Sequence, residues 1–131
     1  MPSAIVENML DRTGIPRLTA ANQASFLAAH PRAVLFFCGD PVKYPESNDV
    51  AMVLPEIVKE FEGLAAAIVD TEIEREMQSG FDFTVWPALA FFRDGNYTGA
   101  ITGIQNWEDY LERVPALLAA GNPDSIAAVN I

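Results

Sequence analysis

Residues 85–103 constrain the fold more than any other part of the chain. They contain two short runs suited to strands, residues 88–92 and 97–102, with Asp94 and Gly95 between them. Asp-Gly between two such runs is a strong hairpin signal, because both residues tolerate positive φ. We therefore expect two neighbouring antiparallel strands joined by a tight turn.

Pro87 opens the first of these strands and follows an aromatic residue, Trp86. Proline has no N–H group to donate to a sheet, so it fits only at the start or at the edge of a strand. An aromatic-proline bond just before a strand is a candidate cis peptide, a feature usually retained for a tight, functional turn. The sequence therefore indicates a cis bond between Trp86 and Pro87.

The N-terminal part of the chain alternates helical and strand patterns. Residues 4–11 carry apolar residues at helical spacing, residues 15–18 are extended, and Thr19 can cap a helix that runs to about residue 29. Residues 33–38 form a continuous apolar run, as expected of a central strand buried on both faces. This part therefore predicts a helix, a short strand, a second helix and the central strand.

A polar loop at residues 39–48 separates the central strand from the next helix. Asn48 or Asp49 can accept the first N–H bonds of that helix. Pro55 lies inside the helical pattern, where it should either kink the helix or mark its true first turn. Residues 64–70 then form the next buried strand.

Two further helices complete the pattern. Thr71 can cap a short acidic helix that ends at Gln78, and Asn106 can cap a helix that packs on the sheet after the hairpin. A tail begins at Gly121. The predicted order is β-α-β-α-β-β-α, preceded by the short N-terminal helix.

This order resembles the thioredoxin fold, an α/β fold with a central mixed β-sheet flanked by α-helices. In thioredoxins the proline before the hairpin is cis and faces the redox loop across a groove. The alternative is an ordinary hairpin in a different α/β domain. With 131 residues, half of them hydrophobic, we expect one domain with a fold core at about residues 15–120.

Charge and hydropathy exclude several classes of function. The chain has 18 acidic and 8 basic side chains, a formal charge of −10, which disfavours nucleic acid and anionic membranes and favours cationic partners. Solubility alone is an equally simple reason for such a charge. No apolar run approaches the roughly 20 residues needed to span a bilayer. The N-terminus also lacks the pattern of a secretory signal, so we expect a cytoplasmic protein without membrane insertion.

The position of the thioredoxin redox pair contains no cysteine. Depending on the alignment it holds residues 44–47 or 47–50, and the only cysteine, Cys38, ends the central strand. One cysteine cannot form an intramolecular disulfide or a cysteine-rich metal site. Cys38 is either a buried structural residue or a working thiol, and the charge of Asp40 would raise its pKa. We expect no catalytic residues, no cofactor and no metal.

What such a fold retains without its redox chemistry is the groove beside the proline. By resemblance, the main chain of Trp86 would pair with an extended peptide, which is recognition by strand addition. Apolar contacts and the negative field of the chain would favour a basic peptide. The alternatives are that Trp86 is a core residue and that the acids cap helices or are simply solvated. The candidate peptide-binding residues are Tyr44, Trp86, Pro87 and Ile104, with Asp40, Glu46 and Asp49 as the acids.

A narrower resemblance rests on the loop after the central strand. The run FFCGDP at residues 36–41, NDVA at residues 48–51, WPAL at residues 86–89 and RDG at residues 93–95 resemble the HyaE/HupG family of hydrogenase expression proteins. The resemblance covers about residues 9–118. It implies a thioredoxin-like fold without the redox pair, acting as an accessory chaperone, not an enzyme, in [NiFe] hydrogenase maturation.

The same resemblance implies a partner. Members are thought to bind the precursor of the hydrogenase small subunit, including its basic twin-arginine signal peptide, and other hydrogenase maturation proteins are further candidate partners. One alternative is a monothiol thioredoxin-like redox or sensor protein that uses Cys38. Another is a structural interaction module with an apolar patch around Trp86.

Overall fold

The fold is built on a mixed five-stranded sheet. The computed structural model describes residues 4–40, 42–81 and 83–119. The elements, in chain order, are α1 (Ala4–Thr13), β1 (Arg17–Leu18), α2 (Gln23–Ala29), β2 (Arg32–Phe37), α3 (Glu46–Glu60), β3 (Ala65–Val69), α4 (Thr71–Gln78), β4 (Ala88–Arg93), β5 (Asn96–Thr102) and α5 (Trp107–Ala119). The predicted strands, the short N-terminal helix and the β-α-β-α-β-β-α order are confirmed, and the short acidic helix predicted at residues 71–78 is α4, which lies between β3 and β4.

The strand order in the sheet is β1-β3-β2-β4-β5. The strands β1, β3 and β2 are mutually parallel, whereas β4 runs antiparallel to both β2 and β5. The hairpin turn between β4 and β5 is at Asp94 and Gly95, whose φ angles are 53° and 83°. Two successive positive φ angles match the right-handed twist of the strands, which is why Asp-Gly is favoured there.

The central strand β2 is buried on both faces, as its continuous apolar run predicts. Alternate side chains of a strand point to opposite faces of the sheet. One set packs against a core formed by α1, α3 and α5, and the other against the core on the α2 and α4 side. The first set is Val34, Phe36 and Cys38, and the second is Ala33, Leu35 and Phe37. Burying a side chain such as Phe36 stabilises the fold by about 1.5–3 kcal/mol.

Helix α3 begins earlier than the sequence indicated. Its first residue is Glu46 and its N-cap position is Pro45, at φ −63° and ψ −22°. The prediction that Asn48 or Asp49 caps this helix is wrong, because the fixed φ of proline already suits a helix start. Pro55 lies in the buried interior of α3, so the alternative that it marks the first turn is also wrong.

Two other predicted caps are displaced by neighbouring side chains. Asp70, not Thr71, caps α4, since its Oδ1 accepts a hydrogen bond from the N–H of Glu72 at 3.0 Å. Helix α2 begins only at Gln23, because Asn22 Oδ1 accepts the N–H of Thr19 at 2.7 Å and holds a turn ahead of the helix. Short polar side chains compete for the same free N–H groups, so sequence alone does not decide which one caps.

The tail predicted from Gly121 lies outside the described residues. Across residues 4–40, 42–81 and 83–119, none of the helices combines the length and the hydropathy needed to cross a membrane.

Candidate functional site

The segment just before β4 leaves main-chain groups unpaired. The bond between Trp86 and Pro87 is cis, and the buried Pro87 accepts a hydrogen bond on its carbonyl oxygen from the N–H of Gly103 at 2.8 Å. Within the described part of the chain, the main chain of Thr84, Val85 and Trp86 makes no hydrogen bond. The chain bends at Val85 and Trp86, and main-chain groups left unpaired next to a strand are able to pair with an added strand.

An aromatic pair lies beside this segment. The rings of Tyr44 and Trp86 meet edge to face, with centroids 5.7 Å apart and an interplanar angle of 76°. Gly39 makes this contact possible, because a Cβ atom there would lie 2.9 Å from Trp86 Cε3 and 2.9 Å from Tyr44 Cδ2. Gly39 also has a φ of +67°, in the left-handed region that favours glycine. Trp86 is half-buried, so it is neither a full core residue nor a free surface ring.

Glu46 connects the start of α3 to the loop after β5. Its Oε1 accepts a hydrogen bond from the N–H of Ile104 at 2.8 Å, across 58 residues of sequence. The Ile104 side chain is half-buried and packs against the core under α1, α3 and α5. Glu46 therefore positions the loop, and Ile104 is only partly available for a ligand.

Asp40 and Asp49 are both exposed. Asp40 Oδ1 accepts the N–H of Val42 at 3.0 Å, and its carbonyl oxygen accepts the N–H of Tyr44 at 2.7 Å. This turn brings the Tyr44 ring towards Trp86. Asp49 lies in the first turn of α3, where the helix dipole favours a negative charge.

The predicted site residues thus form two connected groups. Tyr44 and Trp86 touch through their rings, and Glu46 and Ile104 are joined by a hydrogen bond. The bond between Pro87 and Gly103 links the first group to the second, because Ile104 follows Gly103. Among the described residues, neither Asp40 nor Asp49 makes a hydrogen bond or ion pair with a member of the aromatic pair other than the turn bond at Tyr44.

Cys38 lies beneath this surface and is 2% exposed. Burial raises the pKa of its thiol to about 11, and the charge of Glu74 adds to the increase, against a hydrogen bond with Ser47 that lowers it. The buried Ser47 also donates its hydroxyl hydrogen to the carbonyl oxygen of Cys38. A thiol with a raised pKa and little solvent access is a poor nucleophile.

Sequence analysis missed Glu74, the buried acid of this region. It is 3% exposed, and its Oε2 accepts a hydrogen bond from the N–H of Gly39 at 2.9 Å. Burial raises the pKa of this carboxyl group, against hydrogen bonds from the main chain of Gly39 and Cys38. Helical periodicity contained the signal, because Glu74 lies on the same side of α4 as the half-buried Ile73 and Met77.

The described residues offer no set of three or more histidine, cysteine, aspartate or glutamate side chains placed to hold a metal ion. Glu74, the buried acid near Cys38, accepts its hydrogen bond from the main chain of Gly39. The arrangement is suited to non-covalent recognition: an unpaired main-chain segment, a half-buried aromatic pair, and acids at the start of α3.

Comparison with known proteins identifies the family to which the chain belongs. The protein family described as hydrogenase-1 expression protein HyaE matches residues 5–110. The chain is 39% identical to the hydrogenase expression/formation protein HoxO of Azotobacter vinelandii, over 92% of this chain and 81% of that protein. It is 36% identical to HupG of Rhizobium leguminosarum bv. viciae, over 98% of this chain and 89% of that protein.

Solved structures show the same family and the same fold. A hydrogenase expression/formation protein hupG from Rhodopseudomonas palustris superimposes with a TM-score of 0.57 at 40% identity, over 79% of this chain and 95% of that one. Desulfothioredoxin from Desulfovibrio vulgaris Hildenborough has a TM-score of 0.61 at 24% identity, over 77% of this chain and 95% of that one, which shows the thioredoxin-like fold alone. The chain therefore belongs to the HyaE family of hydrogenase expression proteins, and its role is in hydrogenase maturation.

Proposed function

We propose that the chain is a non-enzymatic chaperone that acts in the cytoplasm and binds the precursor of the hydrogenase small subunit through its twin-arginine signal peptide. The peptide lies extended along residues 84–86 and pairs with their main chain. The observation that carries the proposal is the unpaired main chain of this segment beside the aromatic pair of Tyr44 and Trp86. Main-chain pairing supplies affinity in this mode of recognition, and neighbouring side chains supply specificity.

Exposed apolar side chains support a peptide ligand at this place. Val42 is 91% exposed and Val85 is 55% exposed. Val42 precedes Tyr44 by two residues, and Val85 directly precedes Trp86, so each member of the aromatic pair has an exposed valine near it in the chain. Apolar groups left open next to a half-buried ring are typical of an interaction surface.

Charge supports a basic ligand. The formal charge of −10 attracts cationic peptides over a distance of about a Debye length, and salt screens this attraction. Asp49 in the first turn of α3 and Asp40 in the preceding loop are exposed acids near Tyr44 in the chain. They would meet the arginines of the peptide.

The geometry does not support the alternative of a monothiol redox or sensor protein. Cys38 is buried and the pKa of its thiol is raised, whereas a sensor or exchange cysteine is exposed and has a lowered pKa.

The test is a calorimetric titration of the full chain with a hydrogenase small-subunit twin-arginine signal peptide, at low and at high salt. We expect saturable binding that weakens with salt and weakens when lysines replace the two arginines, because lysine lacks the fork-shaped donor set of arginine. N-methylation of successive peptide amides should abolish binding at the one or two positions that pair with residues 84–86, which distinguishes strand addition from side-chain recognition alone.

Matched variants locate the site. Trp86→Ala should weaken binding by about tenfold or more, as for a central aromatic contact, whereas Trp107→Ala on α5 should leave it unchanged. Asp49→Asn should weaken binding about two- to fivefold, and Asp11→Asn on α1 should have a smaller effect. Absent binding would refute the proposal, and equal effects of the two tryptophan variants would refute the location.

A further inference from the structure

A polar cavity adjoins the aromatic pair on the side of α4. Its volume is about 320 Å³. The residues that line it are Lys43, Tyr44, Arg75, Gln78, Thr84 and Trp86. The cavity therefore shares Tyr44, Trp86 and Thr84 with the proposed peptide site, and a peptide on residues 84–86 would pass beside it.

The charge of this cavity is opposite to that of the chain. Lys43 and Arg75 are two of the eight basic residues, and no acidic side chain is among the described residues that line the cavity, although the chain has 18 acids. Both cations are exposed, and neither forms an ion pair within the described residues. Lys43 is held close, with its Nζ 5.7 Å from the centre of the Tyr44 ring.

Two of the three acids of α4 are directed elsewhere. Glu74 is bonded to Gly39, and Glu76 lines a different cavity, beside α2 and the hairpin turn. Two of the lining residues also carry uncharged donor groups, of which the indole Nε1 of Trp86 is buried. Gln78 is held by a hydrogen bond from its Nε2 to the carbonyl oxygen of Phe83 at 2.8 Å, and the indole Nε1 of Trp86 has no hydrogen-bond partner within the described residues.

We propose that this cavity, defined by Lys43 and Arg75 beside Trp86, is an anion subsite that binds the carboxylate of an acidic side chain in the bound peptide. The inference rests on the proposed function for the identity of the peptide and extends it. Lys43 and Arg75 line this cavity, whereas the acids of the first turn of α3, Glu46 and Asp49, are not among the described residues that line it. The preferred ligand is then a peptide that carries both a basic and an acidic residue, in a fixed order along the strand. A groove lined by acids alone would not select such a peptide.

The first test is a positional scan of the signal peptide, with glutamate and glutamine compared at each position. We expect the wild-type protein to prefer glutamate about fivefold at one position, from two partly exposed ion pairs. The double variant Lys43→Glu with Arg75→Glu should instead prefer lysine at that position. The matched control, Lys59→Glu with Arg113→Glu, changes the net charge equally with exposed residues of α3 and α5 and should retain the glutamate preference.

The anion subsite would be refuted if the wild type shows no preference for glutamate at any position, or if both double variants lose the preference equally. Either result would leave signal-peptide binding intact. If the wild type binds no signal peptide, the proposed function fails, and a second measurement still decides on the cavity. In a nitrogen-15 NMR titration with acetyl-Gly-Glu-Gly-amide, the Trp86 indole N–H signal should shift, and the Trp107 signal should not. The absence of a shift would refute the subsite. An equal shift would also refute it, whether it is seen with acetyl-Gly-Gln-Gly-amide or with the Lys43→Glu, Arg75→Glu variant.

Discussion

The reactivity of Cys38 is the sharpest consequence of the buried region under the aromatic pair. The perturbation is alkylation of the native protein with iodoacetamide at pH 8, compared with the unfolded chain. Only the thiolate reacts, and a pKa raised from 9.0 to about 11 lowers the thiolate fraction at pH 8. The decrease is about 100-fold, since each unit of pKa is tenfold in the ionisation constant.

Limited access of the reagent to the buried thiol slows the alkylation further. Cys38 is 2% exposed, so the reagent reaches it only when the fold opens locally. The assay is mass spectrometry of the alkylated fraction over time, in buffer and in a denaturing concentration of urea. We expect the native protein to react at least about 100 times more slowly, from the thiolate fraction alone.

A matched control separates this effect from a general effect of urea on the reaction. In the variant Cys38→Ala with Ser25→Cys, the cysteine is at an exposed position of α2. Its rates in buffer and urea should agree within about threefold, since an exposed thiol has close to its ordinary pKa. If native Cys38 reacts within about tenfold of the unfolded rate, the reasoning is wrong and the monothiol alternative becomes the better reading.

Three further predictions concern stability, measured by urea unfolding. Gly39→Ala should destabilise the fold by about 2–4 kcal/mol, from a left-handed φ and a Cβ that overlaps the aromatic pair; Gly14→Ala, with a φ of +74° and nothing within 4 Å of its Cβ, should cost only about 1–2 kcal/mol. Equal costs would contradict the role of packing. Because burial raises the folded-state pKa of Glu74, its contribution to stability decreases as the pH rises from the unfolded-state value towards the folded-state value. Glu74→Gln should therefore gain stability relative to the wild type as the pH rises through this interval, and a pH-independent difference would show that Glu74 does not titrate in this way. Glu46→Ala should cost about 0.5–1.5 kcal/mol through the lost bond to Ile104, and Asp49→Ala less; the reverse order would show that the loop bond is not stabilising.

The strands and their order along the chain were predictable from local sequence patterns. The Asp-Gly turn between two strand-like runs determines the hairpin, and the apolar run of residues 33–38 can be satisfied only by a strand covered on both faces. Helix starts were less predictable. At α3 the backbone of Pro45 prevailed over the capping side chains of Asn48 and Asp49, and a local pattern does not show which of several capable residues will act.

The residues of the site were predictable in part, but the hydrogen bonds that hold them were not. Trp86 and Pro87 are neighbours in the chain, and a proline at the start of a strand is the signal from which both were predicted. The bonds from Glu46 to Ile104 and from Glu74 to Gly39 join residues 58 and 35 positions apart, so they depend on how the sheet is assembled. The cavity at Lys43 and Arg75 likewise joins two distant segments.

The start of α3 differs from the corresponding helix start of thioredoxins in the groups on which its dipole acts. In thioredoxins, the positive end of this helix dipole lowers the pKa of a thiol. Here the first turn of α3 carries Glu46 and Asp49, and the same dipole stabilises their carboxylates. Glu46 then holds the loop at Ile104, which follows the residue bonded to Pro87. The helix end that would activate a nucleophile in a thioredoxin thus carries acids in this chain, and one of them, Glu46, is bonded to the loop after β5.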